Sequence, residues 1–332
     1  MARITAAFAS SHSVMLTATK TDWQFNFREA DPKNPYYYDR QGDKTDYAAL
    51  LAAAPAHAES MVTPERMAER FDGAEAAMDH LKTLVDAAGV DVMIVVGDDQ
   101  QEVFSVQNMP AMAIYYGETI RNAKIDIQPG DNWFRRAQKM RQEPDADRHY
   151  PVQAKMAEWL IRKLSDENFD IAAIHALRED QFEGHAFSFI HRRYLADLGV
   201  PVIPVLLNTF DPPNQPTARR CADLGAKLRT LAAAYPEDLK IGLFASGGLS
   251  HFVVNEELDL QIIDALKRKD IGFLARLDPR QLQAGSSEIR NWITVAAAAA
   301  DLDLSWVDYV PGYRTPALTG TGLGFAAWSL AS

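Results

Sequence analysis

The chain has 332 residues, of which 47% are hydrophobic and 24% charged, as in an ordinary globular protein. Its formal net charge is −11 and it has no tract rich in lysine or arginine, which argues against nucleic acid and anionic membranes as partners. The one cysteine, Cys221, excludes an intrachain disulfide and a zinc site built from cysteines, and no run approaches the ~20 apolar residues of a membrane span. We therefore expect a cytoplasmic protein without a membrane anchor.

The first predicted strand covers residues 3–9, and His12 follows its carboxyl end. A lone histidine in this place is more often structural than a ligand, because metal sites need several ligands together. Residues 20–60 form a long excursion, rich in aromatic residues and without a clear period. Loops of this length are usually functional or disordered, and the aromatic content argues against disorder. We expect this segment to be a lid over a site or an oligomer contact.

A long amphipathic helix is predicted to begin after Thr63, with Pro64 at its first position and apolar residues every three or four positions until Gly89. The apolar run at 92–96 is typical of a strand covered on both faces. It ends in Gly97-Asp-Asp-Gln-Gln-Glu102, whose acidic and amide side chains suit a hard metal ion. A solvent-facing turn rich in Asp is the alternative interpretation.

The middle of the chain predicts further strands at 111–116, 169–174 and 200–207, and helices at 152–164 and 217–233. The roughly 30 residues after 116 are expected to form a surface connection with limited order. His185 lies just past a strand and a glycine. We interpret His191, six residues further on, as a surface or packing histidine.

An apolar strand beginning at Ile241 ends in Gly247-Gly-Leu-Ser-His251. In α/β sheets the carboxyl ends of strands often hold functional residues, and paired glycines let the backbone approach a ligand. A tight turn with a solvated histidine is the alternative. Ser287 and Glu288 mark another helix start, with the Glu288 carboxylate near the positive end of the helix dipole. Strands at 307–310 and 324–330 close the chain.

These strand and helix ends supply a set of side chains that suits metal chemistry, namely His12, the cluster from Asp98 to Glu102, His185, His251 and Glu288. A histidine, one more oxygen or nitrogen donor and a carboxylate can bind octahedral Fe(II) and leave positions open for substrate and dioxygen. Histidines beyond that set suit proton transfer, because their unperturbed pKa lies near neutral pH.

In order and rough spacing the chain resembles the class III (LigB-type) extradiol ring-cleavage dioxygenases. The motifs that carry the resemblance are Ser11-His12-Ser13, Gly97-Asp-Asp-Gln-x-Glu-x-Phe104, Gly184-His185-Ala-Phe187, Gly247-Gly-Leu-Ser-His251 and Ser287-Glu288-Ile289-x-x-Trp292. The resemblance is greatest to the methylgallate and protocatechuate 4,5-dioxygenase-like branch, in which residues 20–60 look like an insertion. It implies an α/β sandwich forming one catalytic domain over residues 1–332, with a mixed sheet flanked by helices and the active site at strand ends.

The resemblance also implies roles for four of these residues. His12 and Glu288 match two iron ligands, His251 matches the base that deprotonates the diol, and His185 matches a second acid/base histidine. The implied metal is Fe(II), with no organic cofactor.

One position departs from the family pattern. The family has a histidine four residues before a phenylalanine, and counting back from Phe104 here gives Gln100. With Gln100 as the third ligand the site charge is unchanged, whereas the donor becomes harder and weaker, so metal binding would be looser and Mn(II) better tolerated. Asp99 is the second choice, and Glu102 or a metal-free site are the remaining alternatives.

The implied reaction is cleavage of a catechol-type aromatic, such as gallate, protocatechuate or a related diol, with O2. The expected partners are this small diol and O2, and the expected assembly is a homodimer. Two alternatives stay open: a metal-dependent enzyme of the same fold acting on a related or ring-opened aromatic compound, and a non-catalytic partner subunit. The presence of both His185 and His251 beside Glu288 argues against the second alternative, since a non-catalytic subunit has no use for proton-transfer groups.

Overall fold

The computed structural model describes residues 1–330, which form a nine-stranded mixed sheet, a separate two-stranded sheet and flanking helices. The strands are β1 (Arg3–Ser10), β2 (Val92–Asp98), β3 (Met112–Tyr115), β4 (Thr119–Asn122), β5 (Arg148–Pro151), β6 (Ala172–Ile174), β7 (Val202–Leu207), β8 (Lys240–Ser246), β9 (His251–Val253), β10 (Asp303–Tyr313) and β11 (Thr319–Ser329). The α-helices are α1 (Phe27–Ala30), α2 (Tyr47–Ala53), α3 (Ala58–Met61), α4 (Pro64–Ala87), α5 (Trp133–Lys139), α6 (Ala154–Asp166), α7 (His185–Ile190), α8 (Ala218–Ala234), α9 (Glu256–Lys267), α10 (Ile271–Leu274) and α11 (Ile289–Ala298). Short 3-10 or π-helical turns occupy Val14–Thr17, Asp22–Asn26, Asp31–Lys33, His191–Leu195, Pro279–Gln281 and Ala284–Glu288.

The large sheet has the strand order β10-β11-β1-β8-β2-β7-β3-β6, and β9 pairs with β11. Its four central strands, β1, β8, β2 and β7, are parallel, whereas β11 is antiparallel to β1 and β3 is antiparallel to β7. The predicted mixed sheet of an α/β protein is confirmed. Because the four central strands are parallel, their carboxyl ends meet at one edge of the sheet, where connecting segments place side chains together.

Alternate residues of the central strands belong to two separate hydrophobic clusters, one on each face of the sheet. Along β2, Ile94 belongs to one cluster and its neighbours Met93 and Val95 to the other. Helices α6, α8, α9 and α11 cover the first face, and α4 and α7 cover the second. Burial on both faces explains why these strands are continuous apolar runs. Among residues 1–330, no helix combines the length and the apolarity that a bilayer crossing requires.

The long elements and the predicted strands at 111–116 and 169–174 are confirmed, the latter two as β3 and β6, whereas the helical segments between residues 20 and 60 gave no clear sequence pattern. Helix α4 is capped by the Thr63 hydroxyl, which accepts a hydrogen bond from the Arg66 backbone N–H, so the predicted start is confirmed. The expectation of limited order after residue 116 is wrong, because β4, α5 and β5 lie there. Residues 20–60 hold helical segments of only three to seven residues. Helical segments of three to seven residues span two turns or fewer, which is too short to display a helical period in the sequence.

The closest approach of α8 to α11 lies at Gly225, where an added Cβ would be 2.1 Å from the Thr294 carbonyl oxygen. We expect Gly225→Ala to lower the free energy of unfolding by about 1–3 kcal/mol, because the helices must separate. Gly73→Ala in α4 is the matched control, since its Cβ would meet only Val310 at 3.8 Å. We expect this control to gain up to about 1 kcal/mol from helix propensity. Urea unfolding of the two variants checks the difference, and a Gly225→Ala protein as stable as Gly73→Ala would contradict it.

Candidate functional site

Four side chains from distant parts of the chain meet at the carboxyl edge of the central strands. His12 follows β1, Asp98 ends β2, His185 begins α7 and Glu288 immediately precedes α11. One potential ligand atom from each of the four lies within 4.8 Å of the others. The Asp98, His12 and Glu288 side chains are buried, and His185 is nearly so. Within residues 1–330, this cluster is the only group of three or more His, Cys, Asp or Glu side chains that could hold a metal ion.

The tautomer of His12 follows from its hydrogen bonds. The Ser246 hydroxyl donates its one proton to the Ala186 carbonyl at 2.7 Å, so it must accept at 2.8 Å from His12 Nδ1–H. Neutral His12 therefore carries a lone pair on Nε2. That nitrogen is buried without a hydrogen-bond partner and lies 3.3 Å from Glu288 Oε2 and 3.7 Å from Asp98 Oδ1. A ring nitrogen beside two buried carboxylates is a donor set that suits a divalent metal ion, so these residues fit such an ion.

Two more histidines present Nε2 to the same space. His185 has its Nδ1 fixed by Glu102 Oε2 at 2.8 Å, and Glu102 Oε1 also accepts the His185 backbone N–H at 2.9 Å. His251 donates from Nδ1 to the Leu249 carbonyl at 2.9 Å, and its Nε2 lies 3.3 Å from Glu288 Oε1. In each ring Nδ1 is occupied by an acceptor, so Nε2 is the atom that can exchange a proton or bind a ligand.

The glycine-rich turn after β8 fixes Glu288 and His251 together. The Gly248 backbone N–H donates to Glu288 Oε2 at 2.6 Å, and the indole N–H of Trp292 donates to the Gly247 carbonyl at 2.7 Å. Gly285 is required for another reason, because a Cβ there would lie 1.9 Å from His251 Cδ2. The glycines thus allow one helix start to pack directly against the histidine.

Charge and burial shift the pKa values in this cluster in different directions. Burial, together with the neighbouring Glu288 carboxylate, raises the pKa of Asp98. Burial also acts to raise the pKa of Glu288, but His12 and His251 outweigh it and hold that pKa well below its usual range. Burial opposes charging of His185, yet Glu102 and Asp98 raise its pKa to about 9. A divalent cation would favour the ionised carboxylates and disfavour the protonated histidines.

Gln100 lies beside the cluster and points its amide nitrogen toward it. Its Nε2 donates to Asp98 Oδ2 at 2.9 Å and to Glu288 Oε1 at 3.5 Å. To ligate a metal, the amide would have to turn its oxygen inward, so Gln100 as third ligand stays a prediction. Asp98 is the carboxylate that the geometry adds to His12 and Glu288.

The two alternatives to Gln100 are engaged elsewhere. The Asp99 carboxylate accepts the backbone N–H groups of Val103 and Phe104 at 2.8 and 3.1 Å, and so closes the loop after β2. Glu102 bonds to both the ring and the backbone of His185. Their side chains shape the loop and orient a histidine.

Two residues of the site carried no separate signal in the sequence. Asp98 was one member of an acidic run, and nothing in the run distinguished its side chain from those of its neighbours. Arg141 is buried, lines the cavity and donates from Nη2 to the His12 carbonyl at 2.8 Å. No sequence pattern marks Arg141, because it follows a short helix, α5, and its hydrogen-bond partner lies 129 residues away.

A cavity of about 1000 Å³ opens onto the cluster. His12, His185, His251 and Glu288 lie in its wall, together with seven aromatic side chains and a larger number of polar ones. Those aromatic residues are Phe27, Tyr36, Trp133, Phe134, Phe182, Phe210 and Phe252. Residues between Asn26 and Tyr36 also line it, so part of the 20–60 segment faces the site; its role as a lid stays a prediction.

A family model described as the catalytic LigB subunit of aromatic ring-opening dioxygenase matches residues 48–323. The chain belongs to this LigB family. His12 precedes the matched range, so its place in the LigB site rests on the geometry above. A gallate dioxygenase of Pseudomonas putida is 42% identical over 74 residues, a stretch that covers 20% of this chain and 22% of that protein. An uncharacterized protein of Escherichia coli K12 has a solved structure that matches with a TM-score of 0.40 and 12% identity, over 75% of this chain and 91% of that one.

Removing the Asp98 carboxylate should show whether Asp98 is a metal ligand or only a supporting residue of this LigB site. Changes to groups around a metal typically cost about 10- to 100-fold in affinity, so we expect Asp98→Asn, as loss of a ligand, to weaken Mn(II) binding at least about 100-fold. Asp99→Asn is the matched control, because Asp99 accepts backbone N–H groups outside the cluster, and we expect its Mn(II) affinity to stay near that of the wild type. Isothermal titration of Mn(II) gives both values. Equal affinities in the two variants would contradict Asp98 as a ligand.

Stability should depend on pH through Asp259, which accepts hydrogen bonds from the Ser250 backbone and hydroxyl next to His251. Burial raises the pKa of Asp259 from 3.8 to about 6, although these hydrogen bonds oppose the shift. Because the folded protein binds this proton more tightly than the unfolded chain, the contribution is fully present below about pH 4 and lost as pH rises through about 6. We expect about 3 kcal/mol of unfolding free energy to be lost over this range in the wild type relative to Asp259→Asn. Urea unfolding at a series of pH values measures it, and parallel profiles would refute it.

Proposed function

We propose that this protein is a non-haem Fe(II)-dependent extradiol dioxygenase, which cleaves the ring of a catechol-type aromatic such as gallate, protocatechuate or a related diol with O2. The observation that carries the proposal is the His12 Nε2 lone pair facing two buried carboxylates, at the wall of an aromatic-lined cavity. His185 and His251 present their Nε2 atoms to the same space, as a reaction that moves protons requires.

The comparisons support the class of reaction. The LigB family match covers most of the chain and concerns the opening of aromatic rings. The gallate dioxygenase match supports a hydroxylated aromatic acid as the substrate class, through a segment about a fifth of that protein's length. The substrate and the metal are therefore parts of this proposal.

His12, Asp98 and Glu288 would hold the metal, with Gln100 donating hydrogen bonds to both carboxylates. When bound, Fe(II), or Mn(II) in its place, would supply a redox-active centre with open positions for a diol and O2. One histidine and two carboxylates form a harder donor set than two histidines and one carboxylate, which is consistent with tolerance of Mn(II).

His251 is placed to act as the base. Its Nδ1–H donates to the Leu249 carbonyl, so neutral His251 carries its lone pair on Nε2, directed into the cavity wall beside Glu288. In this role Nε2 takes the proton of one diol hydroxyl, and the Glu288 carboxylate stabilises the imidazolium that results. That same pairing raises the pKa of His251 against the effect of burial.

His185 packs edge-on against His12, with their ring centroids 4.6 Å apart. Glu102 keeps a proton on His185 Nδ1 and favours the charged ring, so Nε2–H can donate to an oxygen of the bound diol or of its product. The two histidines thus divide proton removal and proton return between separate rings.

The aromatic side chains in the cavity wall would hold a planar ring by apolar contact, and the bound ring would displace water from the space next to the cluster. Removal of that water would strengthen the interactions among the charged groups.

Oxygen uptake tests the proposed function. Protein reconstituted anaerobically with Fe(II) should consume O2 when given one of a panel of catechols and carboxylated catechols, and should produce a yellow ring-fission product. Metal-loaded protein that consumes no O2 on any diol would refute the proposal. Metal-dependent hydrolysis of a ring-opened compound in that case would establish the other reaction on the same fold.

Loss of the base should lower the rate without emptying the metal site. We expect His251→Asn to reduce kcat by about 100- to 10,000-fold, because a positioned acid or base contributes that much, while the metal content stays near that of the wild type. His175→Asn is the control, since His175 is exposed and lies outside the cavity wall. Steady-state O2 uptake together with metal analysis measures both effects. A His251→Asn enzyme with wild-type kcat would rule out this role.

A further inference from the structure

Three cationic side chains, Lys33, Arg141 and Arg314, line the cavity of a chain whose net charge is −11. An anionic substrate is repelled by such a protein unless a local cation receives it. Lys33 is exposed and therefore hydrated. The two arginines are buried, at 8% and 5% exposure for Arg141 and Arg314. The distinction between these two arginines lies in what their guanidinium groups already contact.

The charge of Arg141 is balanced by the metal cluster. Its Nη2 bonds to the His12 carbonyl, and Asp98, Glu102 and Glu288 all act on its charge. Arg141 Nε is buried without a hydrogen-bond partner, but the guanidinium acts electrostatically on the carboxylates of the metal cluster and holds the backbone of His12, so Arg141 belongs to the site already described.

Arg314 has a different arrangement. Its Nε donates to Asp31 Oδ2 at 2.9 Å, and its guanidinium carbon lies 4.9 Å from the centre of the Phe27 ring. The Thr319 hydroxyl donates to the same Asp31 oxygen at 2.5 Å, which fixes the carboxylate. Neither Nη nitrogen of Arg314 has a hydrogen-bond partner among residues 1–330, although the side chain lines the cavity. One edge of the guanidinium is therefore held in place while the other is available to a ligand.

Arg314 shares a cavity with the metal cluster. His251, Phe252 and Glu288 line the same cavity as Arg314. A planar guanidinium with two free N–H groups matches a carboxylate, which it binds through two parallel hydrogen bonds.

We propose that Arg314, positioned by Asp31 of the 20–60 segment, binds the carboxylate of an aromatic diol and selects carboxylated diols over uncharged ones. This inference rests on the proposed function, because it assumes that the diol binds at the metal cluster. Arg314 is the specificity-determining residue, and Asp31 acts through it as a positioning residue.

The test compares 3,4-dihydroxybenzoate with catechol, which share the diol and differ by one carboxylate. Binding to Mn(II)-loaded protein is measured without O2 by isothermal titration. We expect the wild type to prefer 3,4-dihydroxybenzoate. Arg314→Gln should weaken its binding about 10- to 100-fold and change catechol binding by less than about twofold, as for a lost hydrogen bond between charged groups. Arg28→Gln is the control, since it removes a positive charge from the same segment at a side chain that pairs with Glu59 outside the cavity wall.

Two more variants guard against a folding defect, because Arg314→Gln leaves Asp31 buried without its charged partner. The double variant Asp31→Asn/Arg314→Gln replaces the ion pair with two neutral groups that can bond to each other, and we expect the same loss of selectivity. Asp31→Asn alone keeps the guanidinium but loosens its position, so we expect a smaller loss for 3,4-dihydroxybenzoate and none for catechol. Circular dichroism confirms that each variant is folded.

The outcomes separate this inference from the proposed function. Equal binding of the two probes by the wild type, or equal weakening of both in folded Arg314 variants, would overturn the role of Arg314 and indicate a purely structural ion pair. If 3,4-dihydroxybenzoate is preferred through Arg314 but neither probe is cleaved after Fe(II) and O2 are supplied, the subsite stands and the dioxygenase proposal fails. If both are cleaved without regard to the carboxylate, the dioxygenase stands and this inference fails.

Discussion

One hydrogen bond, between Ser246 and His12, determines which nitrogen of His12 faces the carboxylates of the site. The Ser246 hydroxyl has a single proton, and it gives that proton to the Ala186 carbonyl, so His12 must donate from Nδ1 and keep a lone pair on Nε2. In the neutral ring that lone pair lies 3.7 Å from Asp98 Oδ1 and 3.3 Å from Glu288 Oε2, and all three side chains are buried. A proton or a metal ion among these electron-rich atoms relieves their mutual repulsion, and the donor set suits a metal ion. The surrounding structure can be understood as the means of holding these atoms in that arrangement.

The groups around the cluster offset the negative charge of its two carboxylates, Asp98 and Glu288. Gly248 donates a backbone N–H to Glu288, Gln100 donates an amide N–H to each carboxylate, and Arg141 adds a buried positive charge. All of these groups are donors or cations. They stabilise ionised carboxylates that would otherwise take up protons on burial, and ionised carboxylates are the form that binds metal. The same partners restrict the directions in which the carboxylate oxygens can point, and so prepare the coordination geometry.

The 20–60 segment joins the body of the protein through polar contacts in the cavity wall. Asp31 is buried in a bond to Arg314, and the Tyr37 hydroxyl donates to the Asp31 carbonyl at 2.8 Å. Phe27 of α1 packs edge-on against Trp133 of α5, with the ring centroids 4.7 Å apart. A buried ion pair is weak evidence for stability, because its desolvation cost is large. The proposed role of Arg314 gives this buried pair a function other than stability, namely to position a guanidinium for a ligand.

The sequence by itself determined the longer strands and helices, which are long enough to show a repeating apolar pattern. It also determined which residues follow their ends. Long apolar runs and the Thr63 cap predict the buried strands and α4, and they place His12, His251 and Glu288 at element ends, because these signals are local. Only the tertiary structure decided that Asp98 faces His12 while Asp99 turns to the loop, since neighbouring carboxylates in one run differ only in side-chain direction. It also decided the partners of Arg141 and Arg314, which lie 129 and 283 residues away. Contacts across such distances depend on how the sheet brings chain segments together, and no periodicity along the chain records them.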